Sequence, residues 1–185
     1  MLDKEFFIKH GLIYGVLSII YLMITYVMGV GAMTSLWNTV IQIIVFLGVF
    51  VYIGLEARKA FGGYMSFGNA FKSIFLSFAL GVFLTLLFNF ILNTMIDPAL
   101  PAKLFDSGVE TAISMMERFG ADESAIEEVY DKMTEQKESI HDSFTLVGFF
   151  TSYITMLFFG GIGVAIAAAI TKKSDPNPFS EIENS

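Results

Sequence analysis

The sequence predicts an all-α integral membrane protein with four transmembrane helices and an extramembrane amphipathic helical hairpin between helices three and four. Of the 185 residues, 55% are hydrophobic, which is a high fraction for a soluble domain. Three long stretches also contain no Asp, Glu, Lys or Arg: residues 11–55, 73–96 and 143–171. Since about 20 residues cross a bilayer as a helix, the first stretch is long enough for two crossings and each of the others for one.

The four predicted spans are separated by turn-forming residues. Within a single membrane domain of residues 1–185, we place the spans at residues 12–30, 36–60, 67–96 and 145–170. Gly29 interrupts the first apolar stretch, and Asp97 with the proline after it ends the third span. Between the second and third spans, Gly62 and Gly63 permit a chain reversal, and Ser66 is in position to cap the next helix.

Residues 97–143 are polar but have a helical period, which predicts a hairpin outside the membrane. Apolar residues recur there at intervals of three and four: Leu104, Phe105, Val109, Ile113, Met116 and Phe119. Gly120 ends this first helix, and Ser124 with Glu127 forms a capping-box pattern that starts the second. Twelve acidic against four basic residues in 97–142 give the hairpin a net charge of −8. The tail at 174–185 has the composition of a disordered segment.

The basic residues near the span ends predict the orientation of the chain. They lie at the N-terminus, in the connection between spans two and three, and after span four: Lys4, Lys9, Arg58, Lys59, Lys72, Lys172 and Lys173. The connection between spans one and two has no basic residue. Because basic residues are retained in the cytoplasm, both termini are expected there and the acidic hairpin on the opposite side.

Several of these segments together resemble a known family. The second span ends in Glu56-Ala57-Arg58-Lys59, then Gly63 follows, and then a Phe-Gly-Asn-Ala-Phe element at 67–71. With the Met- and Glu-rich extramembrane segment and the lysines after the last span, this pattern resembles the bacterial domain-of-unknown-function family 4199 over nearly the whole chain. The resemblance implies a bacterial inner-membrane protein, with residues 97–143 in the periplasm, and it carries over no catalytic residue.

The most regular polar pattern lies in the third span. Ser, Gly, Thr and Asn recur there every four residues: Ser73, Ser77, Gly81, Thr85, Asn89 and Asn93. One interpretation is a polar path for a substrate, and the other is a ridge along which helices pack. Each step of four advances about 40° beyond a full turn, so the pattern drifts around the helix and favours packing.

A candidate site follows if the second and third spans are antiparallel neighbours. Asn38 and Gln42 would then lie near Asn89 and Asn93 in the outer half of the membrane. These four residues form a candidate polar intramembrane cluster. Elsewhere, Gly11 and Gly15 in the first span, and Gly161, Ala165 and Ala169 beside Gly160 and Gly163 in the fourth, have the spacing of small residues at tight helix contacts.

The sequence offers no candidate for catalysis, and we expect no catalytic residue, cofactor or metal. The spans contain no ionisable residue at depth, which disfavours an intramembrane hydrolase or a proton-coupled transporter. The chain has no cysteine, and its two histidines, His10 and His141, are predicted on opposite sides of the membrane. The acidic surface would repel nucleic acid.

The function predicted from these features is a non-enzymatic membrane subunit or scaffold. It would lie in the lipid bilayer and contact a protein partner, or further copies of itself, through the acidic periplasmic hairpin or the small-residue contacts. The alternative is a small oligomeric transporter or channel with a polar path along helices two and three.

Overall fold

The computed structural model describes residues 2–137, 145–174 and 176, and its elements are helices. In chain order they are α1 (Lys4–Met28), α2 (Val30–Thr34), α3 (Leu36–Ala60), α4 (Phe67–Ile91), a π-helical turn (Leu92–Ile96), α5 (Leu100–Arg118), α6 (Glu123–Glu135) and α7 (Leu146–Thr171). Four of them, α1, α3, α7 and α4 with its π-helical turn, are long and apolar enough to cross a membrane. The predicted all-α fold with four spans is therefore confirmed.

The long helices continue beyond their apolar stretches. α1 begins at Lys4 rather than at residue 12. The predicted span was limited to the charge-free stretch, whereas the helix also includes the charged residues before it. Asp3 precedes it in an extended conformation, and Glu5 in the first turn is favourable beside the helix dipole. At 1.5 Å per residue, the 25 residues of α1 extend about 37 Å, which exceeds the roughly 30 Å hydrocarbon core.

The connection between α3 and α4 is fastened to the end of α7. Gly62 and Gly63 have positive φ angles of 78° and 97°, and the Ser66 side chain caps α4, as predicted. Met65 then pairs with Lys173 in an isolated antiparallel bridge, with N···O distances of 2.8 and 2.9 Å. The chain end after α7 and the α3–α4 connection thus lie together, and we call this end of the bundle the terminus side.

At the opposite end, called the hairpin side, the chain forms the predicted pair of extramembrane helices. The π-helical turn closes with a 2.8 Å bond from the Asp97 amide to the Leu92 carbonyl, and α5 and α6 follow with Gly120 between them at a φ of 76°. The predicted capping box was wrong, because Asp122 rather than Ser124 is the N-cap of α6. The end of the predicted hairpin, 138–143, and most of the predicted tail lie outside the described residues.

α4 is the central helix, since it packs against α1, α7 and α3. Its closest approach to α1 occurs where glycines face each other, as expected for Gly11 and Gly15. A Cβ atom on Gly81 would lie 2.9 Å from the Gly11 carbonyl oxygen and 3.0 Å from the Gly15 amide nitrogen. The two backbones are therefore too close here for any side chain.

The small-residue contact predicted on the fourth span forms in part, because Gly160 and Gly163 face Phe78 and Phe50, but the four-residue repeat lies mostly outside it. Ala169 is exposed and Gly161 is only partly covered, whereas Val164, Ala167 and Ala168 are fully buried. α7 is rich in small residues all round, so a spacing of four fits more than one face of the helix. Only the contacts with α3 and α4 select the face that packs.

The bundle is closed on the terminus side and loose on the hairpin side. Ile53, Ile74 and Val164 on the terminus side are each 0% exposed. Towards the hairpin side, the exposed side chains of Ile43 on α3 and Phe159 on α7 line a common cavity. The bundle is therefore open between α3 and α7 in that half of the molecule.

The α1–α4 contact gives a direct test of the fold. Gly81→Ala should lower the free energy of unfolding by about 1–3 kcal/mol, because the new methyl group overlaps backbone atoms that cannot move aside. Thermal unfolding in mild detergent measures the loss. Gly48→Ala is the matched control, since nothing lies within 4 Å of its Cβ position, and it should leave stability unchanged or slightly raised. Equal effects of the two substitutions would contradict the close approach.

Candidate functional site

A cavity of about 670 Å³ lies between α1, α3, α4 and α7. Most of its lining is apolar or aromatic, and it is bounded on the terminus side by the packed core. Its polar lining residues come from three helices: Ser18, Tyr21 and Thr25 of α1, Asn38 and Gln42 of α3, and Thr85 and Asn89 of α4. Because these residues lie in the parts of the helices nearest α2 and the hairpin, the polar wall faces the hairpin side.

Three of the four predicted cluster residues line this cavity, and the fourth does not. Asn38, Gln42 and Asn89 are part of its wall. Asn93 lies behind Asn89 at 5% exposure, and its Nδ2 donates to the Asn89 carbonyl oxygen and to Asn89 Oδ1, each at 2.7 Å. Asn93 therefore orients the Asn89 side chain but lies outside the cavity lining.

Asn38 is held in place by α1 and α2. The Tyr21 hydroxyl donates to Asn38 Oδ1, and it lies 3.1 Å from the Asn38 carbonyl oxygen. Asn38 Nδ2 donates to the Met33 carbonyl oxygen at 3.1 Å. Both ends of this amide are thus partnered within the protein, and the network joins the start of α3 to α1.

Gln42 and Asn89 keep free hydrogen-bonding groups. The Gln42 amide makes no hydrogen bond with any residue that the structure describes, and Asn89 Nδ2 makes none either, although Asn89 Oδ1 accepts from Asn93. Gln42 is exposed and Asn89 is half-buried. The cavity wall therefore presents free amide groups on two helices.

The four-residue pattern on α4 combines both predicted interpretations. Ser73 and Ser77 are buried where α4 packs, and each hydroxyl donates to the carbonyl oxygen four residues earlier. Thr85 makes the same kind of bond to the Gly81 carbonyl but lines the cavity, as Asn89 does. The drift of the pattern around the helix moves it from the packed face to the cavity face.

The cavity opens sideways between α3 and α7. The lining residues that are strongly exposed at the surface of the bundle come from these two helices. One of them, Gln42, is polar, and the others are apolar: Ile43, Met156, Phe159, Ile162 and Ile166. In contrast, the lining residues of α1 and α4 are buried or half-buried. In a bilayer, this apolar mouth would face the acyl chains.

Three aromatic rings close the inner end of the cavity. Tyr14, Phe50 and Phe78 are buried, and their ring centroids lie 5.1–5.6 Å apart. The Phe78 ring packs on Gly160, where a Cβ atom would lie 2.1 Å from it. Access from the cavity towards the terminus side is therefore blocked by close-packed rings.

The sequence considerations missed the contribution of α1. Ser18, Tyr21 and Thr25 line the cavity at intervals of three and four, which places them on one face of an otherwise apolar helix. That spacing was available as a signal. The predicted cluster was drawn from spans two and three, whereas α1 also packs against α4 and supplies part of the wall.

The arrangement restricts what the cavity can hold. None of its lining residues is Asp, Glu, Lys, Arg or His. An ion in such a site would have no opposite charge to offset its desolvation. The groups that line the cavity are suited to hydrogen bonding and to apolar contact.

Comparisons with known proteins place the chain in a family. Residues 9–173 match the model of a family described as a protein of unknown function (DUF4199). Comparison with curated proteins and with solved structures finds no match. The matched segment ends at the residue that pairs with Met65. It includes α1 from residue 9 onwards, the other three long helices, the cavity lining and the hairpin. The chain therefore belongs to the DUF4199 family.

Proposed function

We propose that the protein is a non-enzymatic subunit of a bacterial inner membrane that binds a protein partner through its hairpin. The observation that supports this proposal is the state of α6. It is an amphipathic helix of 13 residues, yet none of its residues is buried. Its Tyr130 is 49% exposed, and Phe119 at the hairpin turn is 85% exposed. Ile126, Val129 and Met133 are half-buried, so the apolar side of α6 is only partly covered. A folded helix with exposed aromatic side chains beside it supports a role in contacting another protein.

The hairpin is attached to the bundle, which makes it a defined platform for a partner. Ser107 Oγ of α5 lies 2.7 Å from Thr34 Oγ1 of α2, and Val109 of α5 is buried. Lys137 Nζ lies 2.6 Å from Asp106 Oδ1 and joins the end of α6 to α5. An interface on such a platform loses less conformational entropy on binding than a free segment would.

The charge of α6 indicates what kind of surface would bind it. Glu123–Glu135 contains five acidic residues and one lysine, and that lysine, Lys132, pairs with Glu128. Anionic lipid head groups would repel this acidic helix, so we do not expect α6 to bind the bilayer surface. We propose a partner with a basic surface and an apolar recess for Tyr130 or Phe119.

The non-enzymatic role and the orientation rest on further observations. General acid–base catalysis requires a titratable group within reach of the substrate, and the cavity lining has no carboxylate, imidazole or amine. Of its two tyrosines, Tyr14 is packed among aromatic rings and Tyr21 donates to Asn38. The basic residues of the α3–α4 connection and of the chain end after α7 lie at the same end of the bundle. That common location supports cytoplasmic termini and a periplasmic hairpin.

The partner proposal is tested by site-specific photo-cross-linking in cells. A photoreactive residue at Tyr130 should give a discrete adduct with a second protein, and Glu127→Lys with Asp131→Lys should reduce it at least tenfold, because the reversed charges oppose a basic surface. The measurement is the adduct yield on denaturing gels, with mass spectrometry to identify the partner.

Two matched controls accompany this experiment. The same photoreactive residue at Phe158, which is exposed on α7, should not give that adduct, and Glu5→Lys, a charge reversal on the terminus side, should not reduce it. Adducts made only of two copies of this chain, or yields indifferent to the α6 charge, would contradict a separate basic partner.

A transporter or channel is the second candidate, and one observation favours it. Asn38, Gln42 and Asn89 line a common cavity, as a polar path along α3 and α4 requires. A continuous path would also have to pass the rings of Tyr14, Phe50 and Phe78, so it needs a rearrangement or an oligomer. This candidate therefore has less support than partner binding.

Flux measurements separate the two candidates. Purified protein in liposomes should show solute flux that Gln42→Leu and Asn89→Leu abolish if the polar wall is a transport path. We expect no such flux, because the inner end of the cavity is closed by close-packed aromatic rings. Flux that depends on both residues would instead establish the transporter.

A further inference from the structure

Beyond partner binding, we propose that the cavity is a binding site for a membrane amphiphile with an uncharged, hydrogen-bonding head group and an apolar chain. The amphiphile enters from the bilayer through the mouth between α3 and α7. Its head group lies against Gln42 and Asn89, and its chain lies among the aromatic residues further in. A monoacylglycerol has this chemistry and is a suitable probe.

The dimensions of the cavity fit such a ligand. Its volume of about 670 Å³ lies within the 300–1,000 Å³ typical of small-molecule sites. Apart from Gln42, the exposed lining residues of α3 and α7 at the mouth are apolar, so an acyl chain can pass them within apolar surroundings while the head group meets the Gln42 amide. A polar solute would have no comparable entry from the bilayer.

The polar and apolar parts of the lining are ordered in the same direction on three helices. On α3, Asn38 and Gln42 are followed by Phe46 and Phe50 towards the terminus side. At 1.5 Å per residue, Asn38 to Phe50 covers about 18 Å. α4 shows the same change in the reverse chain direction, from Asn89 and Thr85 to Val82 and Phe78, and α1 from Thr25, Tyr21 and Ser18 to Tyr14. This gradient matches a head group at one end and an apolar chain at the other.

The free groups on Gln42 and Asn89 specify the head group. The Gln42 amide offers one acceptor oxygen and two donor hydrogens, and Asn89 Nδ2 offers two more donors. Hydroxyl and ester oxygens can satisfy both kinds of group. The Asn38 amide is already hydrogen-bonded to Tyr21 and Met33, so it forms part of the cavity wall. The head group would bind the other two amides, those of Gln42 and Asn89.

The absence of charge among the described lining residues excludes ionised head groups. A phosphate or carboxylate in the cavity would be removed from water without a cation to pair with, at a cost of several kcal/mol. The proposed ligand class is therefore narrower than membrane lipids in general, since the phospholipids and ionised fatty acids around the protein do not belong to it.

The test uses the full chain in vesicles of phosphatidylethanolamine and phosphatidylglycerol that contain a photoreactive, clickable monoacylglycerol. We expect labelling confined to cavity-lining peptides of α3 and α7. Unlabelled monoacylglycerol should compete with it, and a fatty acid of the same chain length, ionised at the pH of the assay, should not. Labelling spread over all lipid-facing peptides, or resistant to the competitor, would mean annular lipid contact and would overturn the proposal.

Two variants examine the head group and the mouth separately. Gln42→Leu should weaken labelling about fivefold to tenfold, the range expected for one lost hydrogen bond to a neutral group. Ile162→Trp should block entry, because the larger ring stands at the mouth. Thr39→Val on α3 and Phe158→Trp on α7 are matched controls outside the cavity lining, and both should label as the parent protein does.

Thermal unfolding measurements show whether a loss of labelling in Gln42→Leu comes from weaker binding or from misfolding. Gln42→Leu removes an unpartnered amide, so the ligand-free variant should unfold at the same temperature as the parent protein or at a higher one. The rise in unfolding temperature on adding monoacylglycerol should be smaller for the variant than for the parent. A variant that is folded and yet labels and shifts as the parent does would overturn the assignment of Gln42. Fatty acid competing as well as monoacylglycerol would overturn the requirement for an uncharged head group.

Discussion

The close approach of α1 and α4 is the contact on which the rest of the structure depends. In a bilayer, lipid chains are as apolar as the side chains of the helices, so helices associate through close packing and hydrogen bonds rather than through the hydrophobic effect. Gly81 facing Gly11 and Gly15 provides that packing, because it lets two backbones meet. With α1 fixed on one side, the remaining surface of α4 receives α7 and α3.

The cavity results from a change in side-chain size along these helices. On the terminus side, small residues allow close contacts between helices. Gly54 of α3 faces Thr171 of α7, and a Cβ atom on Gly54 would lie 2.5 Å from the threonine Oγ1. Further towards the hairpin side, α3 contacts α1 through larger side chains, with the Phe46 and Tyr14 rings 5.3 Å apart and the Tyr21 hydroxyl bonded to Asn38. The same four helices are therefore tightly packed in one half and open in the other.

The sequence was sufficient for the fold and for part of the site. Charge-free stretches predicted the four membrane-spanning helices because a bilayer penalises buried charge strongly. The spacing of polar residues found Asn38, Gln42 and Asn89 but also included Asn93, since nothing in the sequence indicates that α4 changes to a π-helical turn at Leu92. The α1 side of the cavity depends on which helices are neighbours, and the prediction assumed only that spans two and three are adjacent.

The cavity and the hairpin are joined by the five residues of α2. On one side, the Met33 carbonyl oxygen accepts from Asn38 in the cavity wall, and on the other, Thr34 Oγ1 lies 2.7 Å from Ser107 Oγ of α5. A movement of Asn38 would therefore reach the same short helix that contacts the hairpin. Energetic coupling between two binding sites is reciprocal. Any influence of cavity occupancy on partner affinity would be matched by an equal influence of the partner on the affinity of the cavity, and α2 is the contact through which both would pass.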